Sequence, residues 1–332
     1  MKKLASLVGI TALVLASVSP ALAWGPDGHE AVGKIASLRI NQHTQDRIAQ
    51  ILHSGETLAS IANWADFVRN HIGEHNADPD TDAFLQDVAH NKGTGNWHFD
   101  DLPLGCTSYD TCTGFTPDDD VVHLINICIR TLQGQPDPNQ PLSQRNALRL
   151  LVHFVGDIHQ PLHVGSGYVN ENGPHHTIVI ATDPAAITQN NFPKDRGANL
   201  LIIDGHDKNL HSFWDGDLVH LLMTFTSQPN SDALGQFLKD HVTPVASWTP
   251  QGPIDTWAAQ FATDSLNQSR AHAYNSVKIV GKRTVMSHGQ PQTVYDITRG
   301  GNYSTLNRTV VKKQLAKAGF RLAMLLDAIF AN

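Results

Sequence analysis

The stretch Leu151-Val-His-Phe-Val-Gly-Asp-Ile-His-Gln-Pro-Leu-His163 sets His153 and Asp157 four positions apart inside an otherwise apolar run. That spacing puts both side chains on one face of a helix. Leu150, Leu151, Val152, Phe154, Val155 and Ile158 make the helix apolar almost all round, so it must be largely buried. A bare imidazole and carboxylate there cost several kcal/mol unless they are paired or bound to metal. Pro161 stops the helix and His163 follows just beyond it. For this pair alone two readings stay open: a buried His–Asp hydrogen bond, or half of a metal site.

Outward from this segment the pattern recurs. In NLHSFWDGDLV, His211 and Asp215 are again four apart on an expected helix. Two such pairs on facing helices can converge on one cation. IANWADFVRN places Asp66 in an apolar helix, and GNWHFDDLP places His98 between Trp97 and Phe99. Either alone reads as structural. Together, in a chain with 19 histidines, they argue for a metal that takes nitrogen and oxygen ligands, zinc above all. No CxxC thiol site competes.

Most of the chain carries helical periodicity, which predicts a mainly α fold of bundle-like helices with minor short strands. Helices are expected over GHEAVGKIASLRI, starting near Asp27 or Gly28, over TQDRIAQILH from Thr44, and over SIANWADFVRN. FTPDDDVVHLINICIRTLQG has Thr116 as its expected N-cap, and LSQRNALRLLVHFVGDIHQP starts at Ser143. Further helices fall in DKNLHSFWDGDLVHLLM, DALGQFLKDHV, WAAQFATDSLNQSRAHAYNSV and VVKKQLAKAGFRLAMLLDAIFAN. HTIVIA, NLLIID and VKIVGK read as short β pieces, and residues 165–195 as a long loop excursion. With no linker or internal repeat, residues 24–332 read as a single domain.

The first 23 residues read as a cleaved export signal. Lys2 and Lys3 precede the apolar LASLVGITALVLASV, and Ala21-Leu22-Ala23 is the small-x-small cleavage site. The run falls short of the roughly 20 apolar residues of a typical spanning helix, so export to a periplasm or the exterior is expected, without membrane anchorage. Cleavage leaves Trp24 with a free α-amino group, five residues before His29. In an oxidising compartment Cys106 and Cys112, of GCTSYDTCTGF, are expected to pair, leaving Cys128 as a buried thiol. Net charge −7 argues against a basic nucleic-acid-binding module, unless metal ions carry the positive charge. Asn267, Asn302 and Asn307 start Asn-x-Ser/Thr sequons.

The motifs WGPDGH, NWADFVR, WHFDD, HFVGDIHQPLH, NLHSFWD and QLAKAGFRLAMLLD, in this order, make the chain resemble the S1/P1 nucleases, secreted zinc enzymes that share a mainly α fold with bacterial zinc phospholipases C. The resemblance implies three zinc ions per chain. Asp66, His98, His153 and Asp157 would hold one; His163, His211 and Asp215 a second. The third would take the amino group and carbonyl of Trp24 together with His29, with Asp157 bridging to the first. It also implies that Arg69 sits beside the scissile phosphate, Asp101 orients the attacking water, Phe99 stacks a base and Asn199 faces substrate. The family's Gly-Gly-Asn appears here as Gly197-Ala198-Asn199, and the excursion is longer than in fungal members. The implied activity is hydrolysis of single-stranded DNA and RNA to 5′-phosphorylated products, with 3′-nucleotidase activity, by a monomer with no obligate protein partner. A phospholipase C on the same scaffold and a non-catalytic zinc-binding protein are the rival readings.

Overall fold

The computed structural model describes residues 24–90, 94–203, 208–287 and 289–331. The leader expectation falls on residues 1–23, outside the described residues. The fold is mainly helical. α1 (Gly25–Ser37), α2 (Gln42–Ile51), α3 (Trp64–Asn70) and α4 (Pro79–His90) are followed by α5 (Val121–Leu132) and α6 (Gln144–Asp157). α7 (Pro184–Asn190), α8 (Leu210–Ser212), α9 (Leu218–Thr226), α10 (Ser231–His241), α11 (Trp257–Gln268) and α12 (Tyr303–Ile329) complete the set.

α6 is the buried centre, with every residue from Arg145 to Asp157 inside. Its start is fixed by Ser143, whose side chain accepts from the Asn146 amide. α12, at 27 residues about 40 Å long, packs against α1, α6, α9 and α10. Gln314 on α12 donates to the His159 carbonyl just past the end of α6, at 2.9 Å. These helices bury Ile35, Leu148, Phe154, Leu315 and Leu322 in one apolar core. On the flank of α6, Arg145 and Arg149 answer Glu56, Asp78 and Asp80 with contacts of 2.8–3.1 Å.

Several expected boundaries move. α1 begins at Gly25 behind Trp24, not at Asp27 or Gly28. α2 is capped by Asn41, three residues ahead of the expected start at Thr44. α5 is capped by Asp120, which accepts from the His123 amide, so Thr116 and Pro117 lie in the preceding turns. An ionised carboxylate at the N-terminus outcompetes the threonine hydroxyl four residues earlier. The His211–Asp215 segment is interrupted: a π-turn, Phe213–Asp217, links α8 to α9.

The β content is small. β1 (Leu102–Pro103) pairs in parallel with β2 (Gly165–Ser166), tying the segment after His98 to the one after His163. The 165–195 excursion has its own structure: β3 (Tyr168–Asn170) pairs with β4 (Val179–Ala181), and α7 follows. β5 (Leu201–Ile203) joins a long hairpin of β6 (Lys278–Ser287) and β7 (Gln290–Thr298) in the order β5-β7-β6. Cys106 and Cys112 form a disulfide, and Cys128 is a buried free thiol. Among the sequons, Asn267 and Asn302 are exposed while Asn307 is buried on α12.

Candidate metal centre

The end of α6, the turn behind it, α1, α3, the segment before β1 and the π-turn all meet at one place. His153 and Asp157 point from α6, and His98 Nδ1 lies 3.0 Å from Asp157 Oδ2 and 3.1 Å from His153 Nε2. Asp66 of α3 brings Oδ1 to 3.8 Å from both His98 Nδ1 and His153 Nε2. From α1, His29 Nε2 stands 3.3 Å from Asp157 Oδ1. Beside this group, His163 and His211 bring their Nε2 atoms to 3.0 Å, and His211 Nε2 lies 3.4 Å from Asp215 Oδ2. All eight side chains are buried.

Trp24 is fully buried with a left-handed backbone, φ 44°, and its indole donates to the Gly156 carbonyl at 2.8 Å. Its backbone N–H donates to the Asp215 carboxylate. The terminal residue expected to serve His29 and Asp157 therefore also touches the second cluster.

The imidazoles are aimed from behind. His153 Nδ1 pairs with the Ala62 carbonyl at 2.7 Å, His163 Nδ1 with that of His98 at 2.7 Å, and His211 Nδ1 with that of Gly197 at 2.6 Å. A carbonyl can only accept, so each Nδ1 carries a proton, and on His163 and His211, which burial keeps neutral, Nε2 presents a lone pair inward. Gly197 holds its place for a steric reason: at φ 58°, a Cβ would sit 2.1 Å from the Leu162 carbonyl oxygen.

Electrostatics separate the two groups. Burial opposes a charge on His153, but Asp157 and Asp66 outweigh it and lift its pKa to about 9. Asp157, although buried, is held well below the usual carboxylate range by His153, His29 and His98. Burial lowers His29 and His98. It takes His163 down to about 3 and His211 to about 4, with the neighbouring imidazole and Arg69 respectively adding to the fall. Burial also pushes the Asp215 carboxyl well above its ordinary value.

The hydrogen bonds do not exhaust this site. His29 Nδ1 and Nε2, Asp66 Oδ1, His98 Nε2, Asp157 Oδ1 and Asp215 Oδ2 are buried without a hydrogen-bond partner. Each such atom costs about 1–3 kcal/mol if it stays unsatisfied, and those that face the other ligands at these distances, His29 Nε2, Asp66 Oδ1, Asp157 Oδ1 and Asp215 Oδ2, suit a divalent cation. Three overlapping groups have their donor atoms within 4.8 Å of one another: His29–Asp66–His153, His98–His153–Asp157 and His163–His211–Asp215. A fourth, His53–Asp78–Asp80, is already answered by Arg145 and Arg149.

Four further residues were expected beside this centre. Arg69 Nη1 is 4.0 Å from Asp66 Oδ1, and its charge reaches His211. Asp101 is held through its backbone carbonyl by the Tyr168 hydroxyl at 2.7 Å and through Oδ2 by Lys194 at 2.5 Å, while its Oδ1 has no hydrogen-bond partner. Phe99 is half-buried. Asn199 is also half-buried, and its amide donates to the Arg196 carbonyl at 2.9 Å. Ala198, where a second glycine was expected, adopts φ 66° and is fully buried.

Three participants escaped the sequence reading. Gln160, buried, donates to Asp215 Oδ1 at 2.7 Å; its place before Pro161 was the available signal. Gly156 lies against His29, and its carbonyl receives Trp24. Lys194 belongs to the excursion, and no local pattern marked it.

A family model described as S1/P1 Nuclease matches residues 24–331. Nuclease S1 of Aspergillus oryzae is 27% identical over 331 residues, covering 97% of each chain. Endonuclease 4 of Arabidopsis thaliana is 24% identical over 95% of this chain and 92% of its own. Nuclease P1 of Penicillium citrinum is 24% identical over 93% of this chain and 98% of its own.

Proposed function

The chain belongs to the S1/P1 nuclease family, and on that premise we propose that it hydrolyses single-stranded DNA and RNA to 5′-phosphorylated products, with 3′-nucleotidase activity. Membership makes it a hydrolase of phosphodiester bonds. The observation that supports a metal-dependent mechanism is the set of buried, unpartnered nitrogen and oxygen atoms that His29, Asp66, Asp157 and Asp215 turn toward neighbouring ligand side chains.

In this reading Asp66, His98, His153 and Asp157 hold one zinc ion, and His163, His211 and Asp215 a second. His29, Asp157 and the amino and carbonyl groups of Trp24 hold a third. Bound there, zinc lowers the pKa of a coordinated water to about 7 and offsets negative charge on a phosphoryl group. The chain's own residues do the rest. The Ala62, His98 and Gly197 carbonyls fix three imidazole orientations, so little reorganisation is needed when substrate arrives. Arg69, beside Asp66, neutralises charge on the reacting phosphate. Asp101 orients the attacking water, and its Oδ1 is the carboxylate oxygen without a hydrogen-bond partner. Phe99 stacks an unpaired base and Asn199 binds the substrate, which favours single strands over duplex.

We place the mature enzyme outside the cytoplasm after cleavage between Ala23 and Trp24, as one catalytic unit over residues 24–332 that works as a monomer. Among the described residues no helix is long and apolar enough to cross a membrane. The test is chelation and zinc restoration on processed protein, assayed with denatured DNA, RNA, a 3′-nucleotide and phosphatidylcholine. Zinc-restored cleavage of nucleic acid leaving 5′-phosphate ends is expected. Undiminished hydrolysis in excess chelator, or activity confined to the lipid, overturns it.

A further inference from the structure

The 165–195 excursion meets the site at one residue. Lys194 reaches Asp101 Oδ2 at 2.5 Å, and the Lys194 side chain is 50% exposed while that of Asp101 is 12% exposed. The lysine stands on a firm base. Its backbone bridges to Tyr168 of β3, and the Val169 amide donates to the Pro193 carbonyl at 2.8 Å. On its other side, Asp195 is fully buried and accepts from the Ser166 and Tyr274 hydroxyls and from the Gly167 and Ala198 amides at 2.9–3.1 Å. Tyr168, which flanks Lys194, also donates its hydroxyl to the Asp101 carbonyl. The ammonium is therefore delivered to the Asp101 carboxylate by ordered backbone, on a side chain that is half exposed.

Asp101 in turn adjoins the metal-ligand segment. The Asp100 amide donates to the His163 carbonyl at 2.7 Å and the Leu102 amide to the Val164 carbonyl at 3.0 Å. A polyanion approaching Asp101 meets an acidic side chain in a chain of net charge −7. It needs a cation there, and Lys194 is placed to supply it.

We infer that Lys194 is a specificity-determining residue that binds a backbone phosphate of the substrate strand beside Asp101. This rests on the nuclease reading above. Its donors can serve phosphate and Asp101 together, since an ammonium has three. The excursion thereby gives the enzyme a grip on polymer that the ligand clusters and Arg69 do not provide. Each phosphate contacted releases condensed counterions, so the contact is read in the salt response.

The experiment measures kcat and KM on single-stranded DNA across a salt series for zinc-loaded wild type, Lys194→Ala, Lys194→Glu and Lys194→Arg, with thermal unfolding as the folding control. For Lys194→Ala the log–log salt slope of kcat/KM should become shallower by about 0.7, the value for one phosphate on a single strand. KM should rise roughly two- to fivefold, the range of one exposed ion pair. Lys194→Glu should lie further in the same direction, and Lys194→Arg should restore the slope. If wild type leaves single-stranded DNA intact, the nuclease reading fails and takes this inference with it. If wild type cleaves it and Lys194→Ala keeps both slope and KM, this inference alone falls. A loss of kcat at unchanged slope also overturns it, because that marks Lys194 as merely holding Asp101.

Discussion

The imidazole of His29 lies flat on that of His153, with ring centroids 3.9 Å apart and planes within 9°. Stacked imidazoles repel when both are protonated, and the pair resolves this by division. His153 takes the proton under the pull of Asp157 and Asp66, while burial and the charge of His153 keep His29 neutral. The stack brings α1 onto α6 with one neutral donor ring.

That stack fits because position 156 has no side chain. A Cβ there would sit 2.6 Å from His29 Nδ1, in the buried last turn of α6. Gly156→Ala should displace His29 and lower stability by about 1–3 kcal/mol, the usual cost of overpacking. Metal analysis should show about one equivalent less than wild type, with most activity gone. Unchanged metal content would mean that His29 is not a ligand.

Metal uptake should respond to pH asymmetrically. His153, at about 9, is protonated at pH 7 in chelated protein and must lose that proton to bind a cation. Affinity should therefore climb from pH 7 to about 9 and then level, with proton release detectable by calorimetry in buffers of different ionisation enthalpy. His163 and His211, at about 3 and about 4, are already neutral at pH 5, so their cluster should keep its metal into mild acid. Complete metal loss at pH 6, where ordinary histidines protonate, would contradict this.

Asp101→Asn should retain bound metal and lose activity by roughly 10²–10⁴-fold, the usual contribution of a general base. The amide can still pair through its oxygen with Lys194, so folding should be little affected. Wild-type turnover in this variant would remove Asp101 from the mechanism.

The terminus offers a chemical test. The Trp24 nitrogen, facing Asp215, becomes an amide when any residue precedes it, and an amide lone pair is delocalised into the carbonyl. Protein carrying one extra glycine before Trp24 should bind less metal and cut more slowly than protein beginning at Trp24. Equal metal content and rate in the two forms would show that the amino group is not used.

Much of the site was legible because it breaks a strong background rule. His153, Asp157, His211 and Asp215 stand out as polar pairs among apolar residues, and helical spacing alone places each pair on one face. What remained hidden was long-range. Lys194 lies 93 residues from Asp101, and Gln160 lies 55 from Asp215. No local period encodes such meetings. The misread helix start at Thr116 was a choice among several capping residues, decided by which carboxylate the fold could aim at His123. The helix over Pro79–His90 went unread because its acidic face blurs the apolar stripe, and β7 because its largely exposed first half, Gln290–Thr293, and the adjacent buried pair Val294–Tyr295 break any regular alternation.

α12 lies farther along the chain than any other described helix, yet it is the column on which α1 is stacked: a Cβ at Gly319 would already collide with Ile35. The first and last parts of the chain therefore acquire their shape together. The helix that carries His29 packs on α12, so chains cut before Tyr303 are expected to lack the assembled centre. The centre thus depends on a helix that supplies none of its ligands.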